Sequence, residues 1–160
     1  MRKLFLTFAC IIGLSSFALA QKGQTQLNAG VGFDSWKGVP IYVGFDHYVS
    51  NDFTLGAEVS HVSLDKYKKH KHDYSIWGIG GNANYHFDRV LSLPSDWNIY
   101  AGLNLTYYSW DHNDHHDNDG LNLGAQIGAR YFFSKNFGLN LQAGGGSNVS
   151  GGKFGITYRF

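Results

Sequence analysis

The sequence predicts an all-β chain: an eight-stranded antiparallel up-and-down transmembrane β-barrel. Three observations carry that expectation. Eight segments alternate apolar and polar residues with a period of two. The 160 residues include 21 glycines and 16% aromatic residues but only 16% charged ones, whereas about 25% charged is usual in a soluble domain. Beyond Ala20, no run approaches the roughly 18 apolar residues that a spanning helix needs.

The first twenty residues read as a secretory signal. Arg2 and Lys3 supply a positive start, and Leu4 to Leu14 is apolar apart from Thr7, Cys10 and Gly13. Ala18-Leu19-Ala20 then gives a small-x-small cleavage pattern. Cys10 is an inert residue of that apolar run. Cleavage divides the chain into residues 1–20, removed, and a barrel domain over 21–160. The mature part has no cysteine and carries 11 basic against 12 acidic residues. A disulfide scaffold is excluded. So is a nucleic-acid partner held by a basic surface, because phosphate contacts need an excess of Lys and Arg.

The alternation fixes each strand's two faces. Leu27, Ala29, Val31 and Phe33 oppose Gln26, Asn28, Gly30 and Gly32. Ile41, Val43 and Phe45 oppose Tyr42, Gly44 and Asp46. Phe53, Leu55, Ala57 and Val59 oppose Thr54, Gly56, Glu58 and Ser60. The fourth segment sets Trp77, Ile79, Ala83, Tyr85 and Phe87 against Gly78, Gly80, Asn82, Asn84 and His86. The fifth sets Ile99, Ala101, Leu103, Leu105 and Tyr107 against Asn98, Gly102, Asn104 and Thr106. In the sixth, Leu121 to Phe133 alternates with Asn122, Gly124, Gln126, Gly128 and Arg130. Phe137, Leu139, Leu141 and Ala143 oppose Gly138, Asn140, Gln142 and Gly144. The last sets Phe154, Ile156, Tyr158 and Phe160 against Lys153, Gly155, Thr157 and Arg159.

The connections alternate in length. Ser50-Asn51-Asp52 and Ser134-Lys135-Asn136 are short, Asp88 to Asp96 is somewhat longer, and Val62 to Asp73 and Asp111 to Gly120 are long and polar. Tyr48 to Gly56 echoes Phe132 to Asn140, each with an aromatic just past the turn. Short turns on one rim and longer loops on the other describe a barrel in a membrane. A soluble barrel would turn its apolar face inward and carry charge outside. Here the polar set is mostly Gly, Asn, Gln, Ser and Thr. The strand charges Asp46, Glu58, Arg130, Lys153 and Arg159 all fall on it, where they can pair across a narrow lumen. Aromatics gather at both ends of the apolar faces: Phe53, Phe87, Trp97, Phe133, Phe137 and Phe160 near the short turns, and Phe33, Trp77, Tyr107 and Phe154 toward the other rim. These are the two girdles that a bilayer selects.

On these residues the chain from Gln21 to Phe160 resembles the small outer-membrane barrels of the OmpX and OmpA transmembrane-domain type. The most specific element is the C-terminal strand, Phe154-Gly155-Ile156-Thr157-Tyr158-Arg159-Phe160. Its Phe154, Ile156, Tyr158 and Phe160 look like the signal read by the outer-membrane assembly machinery. The resemblance implies residence in the cell outer membrane, outer-membrane lipid as surroundings, and both termini in the periplasm. It also implies extracellular loops around Asp34 to Val39, Val62 to Asp73, Asp111 to Gly120 and Gly146 to Gly152. It supplies no single activity, because a fold does not fix a function.

Eight strands leave an interior just wide enough for side chains to fill. Tyr42, Tyr48, Tyr100 and Tyr108 add bulk there. This argues against a diffusion porin and leaves at most a thin water path. The loops are rich in histidine. Lys66, Lys68, Lys69, His70, Lys71, His72 and Asp73 form a basic stretch, and Asp111, His112, Asp114, His115, His116, Asp117 and Asp119 an acidic one. Imidazoles beside carboxylates bind zinc, copper or nickel, so His70, His72, His112, His115, His116, Asp114 and Asp117 are the candidate metal ligands. No spacing among them defines a tetrahedral site, and two solvated loops of opposite charge account for the composition equally well. His61-Val62-Ser63 has the His-x-Ser spacing of lipid A deacylases, without the neighbouring motif residues of such enzymes. The expectation is a non-enzymatic barrel, without a cofactor, that contacts an extracellular ligand or a host surface through its loops. Metal or cation capture at these loops is the alternative, and after it a lipid A-modifying enzyme.

Overall fold

The computed structural model describes residues 23–34, 38–64, 74–111 and 120–160. They form eight strands: β1 (Thr25–Asp34), β2 (Ile41–Tyr48), β3 (Phe53–Leu64), β4 (Tyr74–His86), β5 (Trp97–Asp111), β6 (Gly120–Phe132), β7 (Phe137–Gly146) and β8 (Ser150–Arg159). Each pairs antiparallel with the next, and β8 closes onto β1 from Gln26↔Arg159 to Asp34↔Gly151. No described helix is long and apolar enough to cross a membrane.

The faces are those that the alternation predicts. Ile79, Leu103, Leu123 and Ile127 stand 60–62% exposed on the outer wall, whereas Gln26, Asp46, Thr54, Asn84, Arg130 and Asn140 are buried inside. A closed wall that is apolar outside and polar inside is the arrangement lipid requires, because every strand edge is paired and the hydrocarbon meets only apolar side chains. On β3 to β5, the outward residues change from apolar Val59, Trp77 and Tyr107 to polar His61, Ser63, Ser75 and Ser109. That change marks the upper limit of the lipid-facing belt. At the lower limit, Phe53, Tyr85 and Phe87 stack edge to face with centroids 5.0 and 4.9 Å apart. Phe137, Tyr158 and Phe160 do the same at 4.8 Å.

Two strand ends differ from expectation. The connection expected over Val62 to Asp73 starts later, because β3 continues through Val62↔Ile76 to Leu64↔Tyr74. The one expected over Gly146 to Gly152 shrinks to Ser147–Val149. In both places ladder hydrogen bonding runs past the apolar belt, so alternation stops marking a strand before the strand ends. The tight turn Ser147–Val149 is held by Asn122 Oδ1, which accepts from Asn148 N at 2.9 Å and Val149 N at 3.1 Å.

The internal repeat encodes one turn built twice. Ser50 Oγ accepts from Phe53 N at 3.1 Å, and Ser134 Oγ accepts from Phe137 N at 2.9 Å. Each serine satisfies the amide that starts the next strand. A fork between Arg89 and Asp52 ties the β2–β3 turn to the β4–β5 connection, with Arg89 Nε donating to Oδ1 at 2.6 Å and Nη2 paired with Oδ2.

The hydrogen bond from Arg89 holds the Asp52 carboxyl below the ordinary aspartate value of 3.8. The sign follows from linkage: the contact stabilises above the carboxyl's unfolded pKa and is lost as pH falls through the lowered folded value. In an NMR acid titration of the folded barrel, Asp52 is expected to have its midpoint below 3.8. Arg89→Ala should raise that midpoint. An unmoved midpoint would show that the fork does not hold in solution.

Candidate functional site

The turn-side half of the lumen is filled by a polar plug. β6 brings Arg130 to the axis, and its Nη2 pairs with Asp46 Oδ2 from β2. Arg130 Nη1 donates to Gln26 Oε1 at 2.6 Å, and the guanidinium lies 4.4 Å from the centroid of the Tyr100 ring. Asn28 Nδ2 donates to Asp46 Oδ2 at 2.9 Å. Desolvating two charges costs several kcal/mol each, roughly, and is offset only where the geometry is good and further hydrogen bonds are made. Gln26 and Asn28 make part of those bonds, while Asp46 Oδ1 and Arg130 Nε have no partner among the described residues. Tyr100 fits because Gly128 sits beneath its ring, where a Cβ would collide with the phenol.

Beside this pair stands a second cluster. His86 Nε2 lies 3.0 Å from Thr54 Oγ1, and His86 Nδ1 lies 3.1 Å from the Tyr48 hydroxyl. Asn98 Nδ2 donates to Tyr48 Oη at 3.0 Å and to Asp88 Oδ2 at 2.5 Å. Asp88 Oδ1 accepts from Ile99 N at 2.8 Å. Sequence reading placed His86 and Asn98 on the polar face but did not single them out. The signal was their inward parity close to the short turns.

Above the plug, Lys153 from β8 pairs with Glu58 from β3, and its ammonium sits 5.2 Å from the Tyr42 ring centroid. The five strand charges therefore do not behave alike. Four form two pairs, Arg130–Asp46 and Lys153–Glu58. Arg159 joins neither, which corrects the expectation of cross-lumen pairing for it. It lies at the last residue of β8, donates to the Lys135 carbonyl at 3.1 and 2.9 Å, and stacks 3.9 Å over Phe132. At the barrel's end it caps the turn carbonyl rather than crossing the axis.

A chain of carboxamides continues upward from Asn84. Asn84 Nδ2 donates to Asn82 Oδ1 at 2.8 Å and Gln126 Nε2 to Asn84 Oδ1 at 2.7 Å. Gln126 Oε1 accepts from Asn104 at 3.0 Å and from Gln142 at 3.1 Å. Between these residues and the rim at Pro40, Val149 and Ser150 lies a cavity of about 100 Å³.

The candidate metal ligands His70, His72, His112, His115, His116, Asp114 and Asp117 all lie outside the described residues. Among the described residues, no group of three or more His, Cys, Asp and Glu is placed to hold a metal ion. His61 and Ser63 do meet, with Nε2 and Oγ 3.3 Å apart, on the outer wall beside Trp77, whose ring centroid is 4.4 Å from that of the imidazole. His61 Nδ1 has no hydrogen-bond partner among the described residues, so no described carboxylate orients the dyad in the way that nucleophilic catalysis requires; Asp65 and Asp73 lie outside the described residues. The terminal pattern Phe154, Ile156 and Phe160 faces outward and is 43–55% exposed.

Arg130→Met is expected to destabilise the barrel by about 3–5 kcal/mol, because it leaves the Asp46 carboxylate buried without its cation. The double variant Arg130→Met/Asp46→Leu should recover most of that loss. Urea unfolding of the detergent-folded protein, followed by heat-modifiable gel migration, measures both. Equal destabilisation of the two variants would mean that packing, not charge, sets the cost.

No protein-family model and no curated protein matches this chain. Solved structures do. OprG of Pseudomonas aeruginosa aligns with a TM-score of 0.65 and 12% identity, over 89% of this chain and 99% of that one. A de novo designed transmembrane β-barrel aligns with a TM-score of 0.62 and 18% identity, over 87% of this chain and 97% of the design. Ail, the attachment invasion locus protein of Yersinia pestis, gives a TM-score of 0.55 and 11% identity, over 87% and 99% of the two chains. Ail is also solved in complex with the heparin analogue sucrose octasulfate. At these identities the likeness is one of architecture: the chain has the fold of the small outer-membrane β-barrels.

Proposed function

We propose that the chain works in the outer membrane as a non-catalytic surface protein, structural or adhesive, whose loops contact an extracellular ligand or a host surface. The observation that carries this reading is the uneven height of the wall. β3 to β6 run 12, 13, 15 and 13 residues, whereas β1, β2, β7 and β8 run 10, 8, 10 and 10. A tilted strand needs about 9–11 residues to cross. The surplus on β3 to β5 carries the roots at Leu64, Tyr74 and Asp111 past the lipid-facing belt, on one side of the rim, while β6 starts at Gly120, paired with Tyr108. A plugged lumen supports the same reading, since it disfavours transport through the axis. Ail, a barrel of the same fold, is named for attachment and binds a heparin analogue, which fits an adhesive role.

Metal capture is the second reading, and one observation favours it. Ser75↔Asp111 pairing sets a strand end from which residues 65–73 leave beside one from which 112–119 leave, so the two His-bearing connections start from neighbouring strands. Export under the signal over residues 1–20, and recognition of Phe154, Ile156, Tyr158 and Phe160 by the assembly machinery, complete the proposal.

The test is a chain in which residues 65–73 and 112–119 are each replaced by a short Gly-Ser link. The variant should remain in the outer-membrane fraction and heat-modifiable, while cells displaying it lose adhesion to immobilised heparin. Adhesion equal to that of the unaltered chain would overturn the loop reading. Calorimetric titration with Zn²⁺ on both proteins decides the metal reading, which fails if the unaltered chain releases no heat. Separately, Phe160→Ala is expected to lower the amount of assembled barrel by more than Phe137→Ala, which removes the other contact of the same aromatic stack. An unchanged yield would remove the assembly role from this residue.

A further inference from the structure

The cavity above the plug is kept open by the way its wall is packed. Several polar side chains lie flat over glycines of the adjoining strand instead of reaching into the axis. A Cβ at Gly78 would meet Ser60 Oγ at 2.5 Å and the Tyr108 ring at 2.8 Å. One at Gly80 would meet Thr106 Oγ1 at 2.5 Å, and one at Gly124 would meet Asn104 Oδ1 at 2.9 Å. The turn-side half has the opposite character, with Tyr48, Tyr100 and Arg130 filling the axis. One half of the lumen is filled by side chains down to about 10 Å³ beside Asp46 and Arg130, and the other half is left open.

The chemistry of the empty half is specific. Asn104, Gln126 and Gln142 line it with carboxamides whose bonds to one another and to Asn84 use one N–H of each, leaving each amide nitrogen a second N–H to donate. Ser60 and Thr106 add hydroxyls. The Lys153–Glu58 pair faces it with side chains still 28% and 24% exposed, a strong donor beside a strong acceptor with no net charge. Tyr42 and Tyr108 contribute aromatic surface. About 100 Å³ of space is well beyond the roughly 10–15 Å³ that one water needs and below the roughly 150 Å³ of a cavity that takes benzene, so a six-membered ring enters only with part of it in the open mouth at the rim.

We propose that this vestibule binds a neutral monosaccharide. Vicinal hydroxyls each donate and accept, which matches carboxamides and a Lys–Glu pair, while the ring's C–H face suits a tyrosine. Because Lys153 and Glu58 cancel, neither an anionic nor a cationic solute gains from the lining as a whole. This site lies inside the barrel wall and is independent of the loop residues invoked for surface contact.

Saturation-transfer difference NMR on the full chain, folded in a sugar-free zwitterionic detergent, tests the assignment with D-glucose and D-galactose as probes. Glucuronate and glucosamine serve as the charged counterparts. Saturation is expected to reach the ring protons of at least one neutral sugar and to be weaker for both charged ones. Ser60→Phe, which fills the cavity, should abolish the signal. Asn104→Ala should weaken binding about tenfold, the equivalent of one net hydrogen bond, and covers the case in which the phenylalanine variant does not fold. The loop-shortened chain should retain the signal, which separates this site from the surface reading. Absence of transfer to both neutral sugars, transfer unaffected by the variants, or stronger transfer to a charged sugar would each overturn the proposal.

Discussion

Backbone inside a bilayer has no water to bond, so the pairing of β8 with β1, from Gln26↔Arg159 to Asp34↔Gly151, governs the rest of the molecule. Without it two strand edges would face hydrocarbon with unsatisfied amides. With it the wall is continuous, and each side chain is sent either to lipid or to the lumen according to its parity. The low charge content follows from this division. The outer wall has no use for charge, and the lumen is too narrow to hold more than it can pair.

Closure with eight strands also makes the interior a core of an unusual kind. Arg130, Asp46, Gln26 and Asn28 occupy the place that leucine and valine take in a soluble domain, so hydrogen bonding has to hold the interior together. The arrangement is specific because its polar atoms have a narrow choice of partners. Tyr100 over Gly128 illustrates how a missing Cβ on one strand admits a ring from the next. The same device, used with smaller side chains, leaves the upper half open.

The two ends of the barrel are built for different surroundings. Toward the short turns, stacked aromatics, a pair of serine-held turns and the Arg89–Asp52 fork form a compact base. Toward the other rim, β3, β4 and β5 carry polar outward residues past the girdle of Trp77 and Tyr107. A base tied by these contacts, a filled lower lumen and one raised side of the rim are the features on which the proposed surface role rests.

Strand number, strand faces and the side of the wall that meets lipid were all legible in the sequence, because period two is a local property of neighbouring residues. The Ser-x-x-Phe repeat likewise announced its turns. Strand ends were less legible: at Leu64 and Ser150 the ladder continues after the apolar pattern has stopped. The partners of the buried charges were not legible at all. Arg130 meets Asp46 from 84 positions away and Lys153 meets Glu58 from 95, while Arg159, of the same parity, meets only a turn carbonyl and a ring. Alternation alone determined that these residues point inward. Which of them meet was decided by barrel closure and strand stagger, which set each residue's height on the axis and so its neighbours across the lumen.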